Sequence, residues 1–359
     1  MRITQNMITR NYLNGINFSQ ENIAKANQRI TSSRRFTRIS ENLADGSRAL
    51  KVRKQLAVIR QQKADVRDAQ GLIASAESNL QSINSVLHTA HEKALRGKND
   101  PLMSVRNEIG QEIDNLKDQI LQFMNTQYAG KFVMGSANNR SAPYQVDANG
   151  VLTFNGVPVD DIQMNAATGK YEYDSDGAGT MKEIPYDKEI YIDLGMGLSF
   201  DGGGEVDERS AFLVSFNGLD ILGYGTETYT LADGTTQDIP NNIYNLMEDI
   251  VDMFRGEDGQ GNPVTYNEEI MGTMLDKLEK ERENMFLNIT DLGNRDNFLE
   301  RTVNHLESDE EILTGTRSEL EGVDDAGESI RLSMYQYSWL ATLKMGAKLL
   351  PQSLMDYLN

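Results

Sequence analysis

His88 and His91 stand three residues apart, a spacing that puts two imidazoles on one face of a helix, where they could share a metal. Their setting is HTAHEK, not the HExxH of a zinc hydrolase, and no third ligand lies nearby in sequence. His305 sits alone in a charged stretch. The runs DSDGAG, DGGGEVDE and EDGQGN offer oxygens that could meet calcium. A calcium loop starting at Asp174 would need Asp or Asn at its fifth position and Glu at its twelfth; Ala178 and Pro185 stand there. Gly195 and Gly197 lack the third glycine of a dinucleotide loop, and neither a Walker sequence nor a GxSxG elbow occurs. Without cysteine there is no thiol nucleophile and no disulfide framework. The expectation is therefore no catalytic residues, no cofactor and no metal, so the residues that matter are those that pack.

The 359 residues suffice for two or three domains. No run of 18 apolar residues occurs, so no membrane span is expected. The start, MRITQNMITRNYLNGIN, has no apolar core or small-residue cleavage site and does not read as a Sec signal peptide. The net charge of −19 is unevenly spread. Residues 1–142 carry 21 Lys/Arg against 12 Asp/Glu, residues 143–240 carry 4 against 18, and residues 241–359 carry 10 against 24. A basic first third and an acidic last third attract each other if they pack side by side. The same pairing explains the basic residues without a nucleic-acid partner.

Eight apolar residues recur every seven positions near the C-terminal end: Met271, Leu278, Met285, Leu292, Leu299, Leu306, Leu313 and Leu320. That period keeps one helical stripe facing a partner, as in a coiled coil. Some 50 residues would make a rod of about 75 Å, which needs a partner of similar length. Val52, Ile59, Val66, Ile73, Leu80 and Leu87 supply it, with Ala69, Ala76, Ile83 and Ala90 as companions. These rod-seam residues predict a helix from near Gly46 to the stop signals of Gly97–Pro101. A third helix is expected from about Leu102 to Tyr128, and another from Ile243 to Phe254. Between them, Asn149-Gly150, Asn155-Gly156, Asn217-Gly218 and Asp233-Gly234 mark turns among short extended runs.

The layout is nested. It predicts a mainly α fold: a long antiparallel helical bundle or coiled-coil rod built from both chain ends, with a β-rich domain inserted in the middle. Residues 1–42 and 326–359 would form a terminal helical assembly domain. Residues 43–142 and 241–325 would form the rod, and residues 143–240 a β-rich outer domain. Residues 1–40 carry Ile16, Ile23 and Ile30 at seven-residue spacing among many amides, too little apolar area to fold alone. Chain ends are usually polar, yet Ile330, Met334, Tyr337, Trp339, Leu340, Leu354, Tyr357 and Leu358 crowd the last 30 positions. Such an end reads as an interface; the alternative is that it caps an intramolecular bundle.

In this layout the chain resembles the flagellin superfamily. The resemblance rests on the start MRITQNMITRNYLNGI, the helix RALKVRKQLAVIRQQKADVRDAQGLIASAESNLQSINSVL, the junction NTQYAGKFVMGSANNRSAPY and the end SLMDYLN. It covers about residues 1–145 and 241–359; ISENLADGSRAL lacks the Asp-Pro usual in the family, and Met355 replaces a Phe. The resemblance implies a structural subunit of the bacterial flagellum, exported unfolded through the flagellar type III channel and secreted without a cleaved signal. It implies partners too: other copies in a ring at the junction of hook and filament, flagellin, the first hook-associated protein and an export chaperone. It implies an assembly interface, for which we single out Met7, Ile16, Ile23, Ile30, Ile330, Met334, Tyr337, Leu340, Leu354, Tyr357 and Leu358. Flagellin itself is the near alternative. A glycan-binding adhesive module on residues 143–240 is the alternative from another class.

Overall fold

The two heptad series each become one unbroken helix in a computed structural model of the chain. The structure describes residues 5–349 apart from 101, 148–149, 176–178, 195–196, 198, 201–205, 208–210 and 232–233. The helices are α1 (Gln5–Ser32), α2 (Leu43–Asn99), α3 (Met103–Met124), the short α4 (Gly218–Leu222), α5 (Ile243–Arg255), α6 (Glu268–Glu321) and α7 (Asp325–Leu349). The fold is mainly α, with long helices from both ends and small antiparallel sheets between them. Its contacts divide it into two units, residues 1–61 with 306–359, and residues 62–305.

In the 62–305 unit, α2 buries a ladder at alternating steps of three and four: Val66, Ala69, Ile73, Ala76, Leu80, Ile83, Leu87, Ala90 and Ala94. On α6, Met271, Met274, Leu278, Met285, Leu292 and Leu299 are buried. The two helices run antiparallel here: His91 Nδ1 lies 3.9 Å from Glu279, and the Lys98 ammonium lies beside Gly272. Helix α3 closes the layer through Ile109, Ile113, Ile120 and Met124, with Lys93–Glu112 (2.6 Å) at the rim. Helix α5 packs on α3 and is buried almost all round, as Ile243, Leu246, Met247, Ile250, Val251 and Phe254 require. Asn242 caps its first turn by accepting from the Tyr244 amide at 2.9 Å, and Gly256 ends it in the left-handed region.

Two boundaries differ from the expectation. Helix α2 starts at Leu43, because Asn42 accepts from the Asp45 amide and caps it before Gly46. The stop signals of Gly97–Pro101 end α2 at Asn99 as expected; Gly97 itself lies in the last turn, where a Cβ would come 2.6 Å from the Phe254 ring. Helix α3 ends at Met124, not Tyr128. Asn125 accepts from the Tyr144 amide at 3.0 Å and donates to the Tyr144 carbonyl at 2.8 Å, drawing the chain into a hairpin of Gln127–Tyr128 and Lys131–Phe132.

Among the described residues five small sheets form, the hairpin just named and four in the middle. Tyr144–Val146, Leu152–Phe154 and Val157–Pro158 form one three-stranded sheet; Ile162–Asn165, Lys170–Asp174 and Met181–Glu183 form another. Tyr191–Ile192 pairs with Phe212–Leu213, and Thr226–Thr230 with Thr236–Pro240. Asn155 and Gly156 have φ of 51° and 86° and turn the first sheet as expected. Asn217-Gly218 is a different device: the Asn217 side chain accepts from the Leu219 amide and caps α4 instead of turning a hairpin.

Acids cluster where α5 meets this insertion. Burial first, then the neighbouring charges of Asp252 and Asp160, push the Asp249 carboxyl up to about 7. The folded chain thus takes a proton more readily than the unfolded one. That contribution is fully present below about pH 4 and is lost as pH rises through 7. Asp249→Asn removes the loss. We expect the variant to be more stable than the parent by about 2 kcal/mol at pH 8 and no more stable at pH 4, read from thermal melts.

Candidate functional site

The unit built from both ends holds the residues singled out for assembly. Its inner seam is regular. Among the half-buried and buried positions of α1, Tyr12, Ile16, Ser19, Ile23, Ala26 and Ile30 recur at steps of four and three. Glu328, Leu332, Tyr335, Trp339, Thr342 and Gly346 of α7 repeat the same steps. The pair is antiparallel, since Arg29 reaches Glu328 (3.2 Å) and a Cβ on Gly346 would lie 2.0 Å from the Tyr12 hydroxyl. Ile16, Ile23 and Ile30 therefore lie on the seam between α1 and α7. Ile330, Met334, Tyr337 and Leu340 do not: they are 64%, 66%, 78% and 50% exposed. Ile330, Met334 and Tyr337 form with Met345 an apolar stripe on the outside of α7, which is thus apolar on two sides, while Leu340 borders the groove along the pair. Met7 on α1 is exposed as well. Leu354, Tyr357 and Leu358 lie outside the described residues. Leu332, Tyr335 and Gly346 were missed, because the outer stripe of α7 carries the same period and the stronger apolar signal.

A groove of about 480 Å³ opens along the pair, lined by Gln20, Ile23, Asn27, Gln336, Trp339 and Leu340. The Trp339 indole N–H is buried there without a hydrogen-bond partner. A buried donor left unpaired costs about 1–3 kcal/mol.

At the inner end of the pair both arms of the chain break at one level. Arg34 and Gly322 form an antiparallel bridge, and the Arg35 amide donates to the Glu321 carbonyl at 2.7 Å. Two buried carboxylates hold the break. Glu321 takes Arg53 through Nε and Nη2, both at 2.6 Å, and Glu328 takes Arg29 and Arg331, both at 3.2 Å. Beyond the break, Arg60 pairs with Glu310 at 2.7 Å, so α2 and α6 are antiparallel in this unit too. Here the seam residue Val52 is buried, with Leu306, while Ile59, Leu313 and Leu320 are half-buried.

None of this resembles a reaction centre. His88 is half exposed and His91 faces Glu279, and among the described residues no three His, Asp or Glu side chains converge as metal ligands. No described helix is long and apolar enough to cross a membrane.

Residues 3–139 match the model of the bacterial flagellin N-terminal helical region, and residues 275–358 match that of the C-terminal helical region. The two matches cover more than half of the sequence and the helices just described. The chain belongs to the flagellin family. This flagellin-family chain is 28% identical over 127 residues to a flagellin of Clostridium tyrobutyricum, a match covering 35% of this chain and 34% of that one. It thus spans about a third of the length of that curated relative. In fold it is similar to a protein described as a flagellar hook-associated protein from Vibrio parahaemolyticus. The TM-score is 0.52 at 14% identity, over 79% of this chain and all of that one. Flagellar hook associated protein-3 from Legionella pneumophila gives a TM-score of 0.46 at 13% identity, over 75% and 98%. The flagellin family is one of structural proteins, which agrees with a site made of packing surfaces.

Proposed function

We propose that this chain is the hook–filament junction protein of a bacterial flagellum. Its copies form a ring between the first hook-associated protein and flagellin. The observation that carries the reading is the terminal pair: an apolar stripe of Ile330, Met334, Tyr337 and Met345 faces outward, and a buried indole N–H waits for an acceptor. A helix apolar on two sides is a helix meant to be covered on both. Neighbouring copies cover the outer stripe at the growing structure, and an export chaperone covers it before export. The fold-level likeness to a hook-associated protein favours the junction over the filament itself. In this proposal residues 1–42 and 326–359 are the assembly part.

Deleting the gene tests the role. Cells should keep complete hooks, shed flagellin monomer into the medium and regain filaments on complementation. Loss of the main filament band together with unchanged hooks and no shed monomer would make the chain a flagellin instead. A finer test is Tyr337→Asp. The side chain is 78% exposed, so the melting temperature should move by no more than about 2 °C, whereas recruitment to isolated hooks should fall at least tenfold. Wild-type recruitment by the variant would remove the outer stripe from the interface.

A further inference from the structure

Charge is divided sharply within the terminal unit. Residues 1–61 carry 12 Lys/Arg and 3 Asp/Glu, and residues 306–359 carry 4 and 10. Three of the resulting attractions close inside the molecule, through Arg29–Glu328, Arg53–Glu321 and Arg60–Glu310. The rest do not. Arg48, Lys51 and Lys54 of α2 are exposed, and neither hydrogen bond nor ion pair engages their side chains among the described residues. The same holds for Glu311 and Glu319 of α6.

The unmatched charges sit beside unmatched apolar surface. On α2, Leu43, Leu50, Lys54 and Val58 fall on one stripe, with the three leucine and valine side chains 73%, 49% and 47% exposed. That stripe is opposite the buried face of Ala49, Val52 and Leu56. On α6, Ser308, Ile312, Gly315 and Glu319 recur at steps of four, three and four. Ile312 is 62% exposed, and nothing lies within 4 Å of where a Gly315 Cβ would be. One surface is a basic ridge with an apolar crest. The other is an acidic face with a shallow dip at Gly315 and one apolar contact.

We propose that these surfaces dock on each other between copies: the α2 ridge of one subunit lies along the Ser308–Glu319 face of α6 in the next. Ridge and face are different patches of one chain, so the contact is head-to-tail. It leaves a free ridge and a free face at every addition until the ring closes. Apolar centres supply burial, and Arg48, Lys51 and Lys54 against Glu311 and Glu319 fix direction and reject the reversed arrangement. The proposal rests on the ring reading above and assigns the surface through which neighbours meet.

The natural lack of cysteine makes the test direct. The full-length chain carrying Leu50→Cys with Ile312→Cys is assembled on isolated hooks and oxidised. A ladder of disulfide-linked copies is expected, absent with either single substitution. Independently, Lys51→Glu with Lys54→Glu should lower recruitment at least tenfold while leaving the melting curve unchanged. Adding Glu311→Lys and Glu319→Lys to the same chain should restore it. Normal recruitment without a ladder, or reversal of charge without effect, overturns the docking and leaves the junction role standing. Failure of the wild-type chain to assemble on hooks at all overturns the ring, and the docking with it.

Discussion

Leu80→Asp should leave residues 62–305 unfolded at 37 °C, while Leu95→Asp on the same helix should leave them folded. Leu80 is fully buried, in the ladder between Ala76 and Ile83, and Leu95 is 45% exposed. Removing a buried leucine side chain costs about 2–5 kcal/mol, and an unpaired carboxylate in its place adds a desolvation penalty of several more. A domain of ordinary stability has about 5–15 kcal/mol to lose. At the exposed site the same change should stay within about 0.5 kcal/mol. Circular dichroism melts of both variants decide the matter. Similar melting temperatures for the two would mean that α2 does not present the face that its heptads assign to the core.

Lys117→Met is the second large effect. Lys117 is 5% exposed, in the layer where α3 meets α5. Its ammonium touches Glu248, lies 2.9 Å from Asp114 and stands 5.1 Å from the centre of the Tyr244 ring. Burial by itself would raise the Asp114 carboxyl; Lys117 and Arg255 outweigh burial and hold it below the usual carboxylate range. Methionine fills the space but strands Glu248 without a counter-charge. Breaking a buried pair in this way costs about 3–5 kcal/mol. Asp114 keeps Arg255 at 2.6 Å, which limits the damage to one carboxylate. The combined variant Lys117→Met with Glu248→Leu should recover most of the loss, since an apolar pair needs no compensation. Full stability in Lys117→Met alone, measured by urea unfolding, would show that the ammonium contributes nothing to this layer.

Helix existence and the pairing of the long helices were legible in this sequence, and individual side-chain partners were not. Val52 to Leu87 and Met271 to Leu320 repeat often enough that a seven-residue period can mean only a long helix. The end of α3 was not legible, because Phe123 and Met124 run on into a polar segment that still suits a helix; the Asn125 bonds to Tyr144 that stop it join residues 19 apart. Asn217-Gly218 shows the limit of dipeptide signals, since the same pair that turns a hairpin can cap a helix. The five sheets have strands of two to five residues, too short for alternation to declare which pairs with which. In the terminal pair, Ile16, Ile23 and Ile30 were readable as a stripe. Leu332 and Tyr335 were hidden behind Ile330, Met334 and Tyr337, because a helix apolar on two sides offers two equally valid phases. Arg53 and Glu321 lie 268 residues apart, and nothing local in either hints at the other.

The bridge between Arg34 and Gly322 has a consequence for how such chains can change length. It pins both arms at a common level, so each arm is measured from that pin. Deleting seven residues from α1 alone leaves the far end of α7 with nothing opposite it. Deleting seven from each arm at matching heights keeps every remaining pair in step. Insertions and deletions at the two extremities of this molecule should therefore be inherited as couples, and a lone one should be lethal to motility.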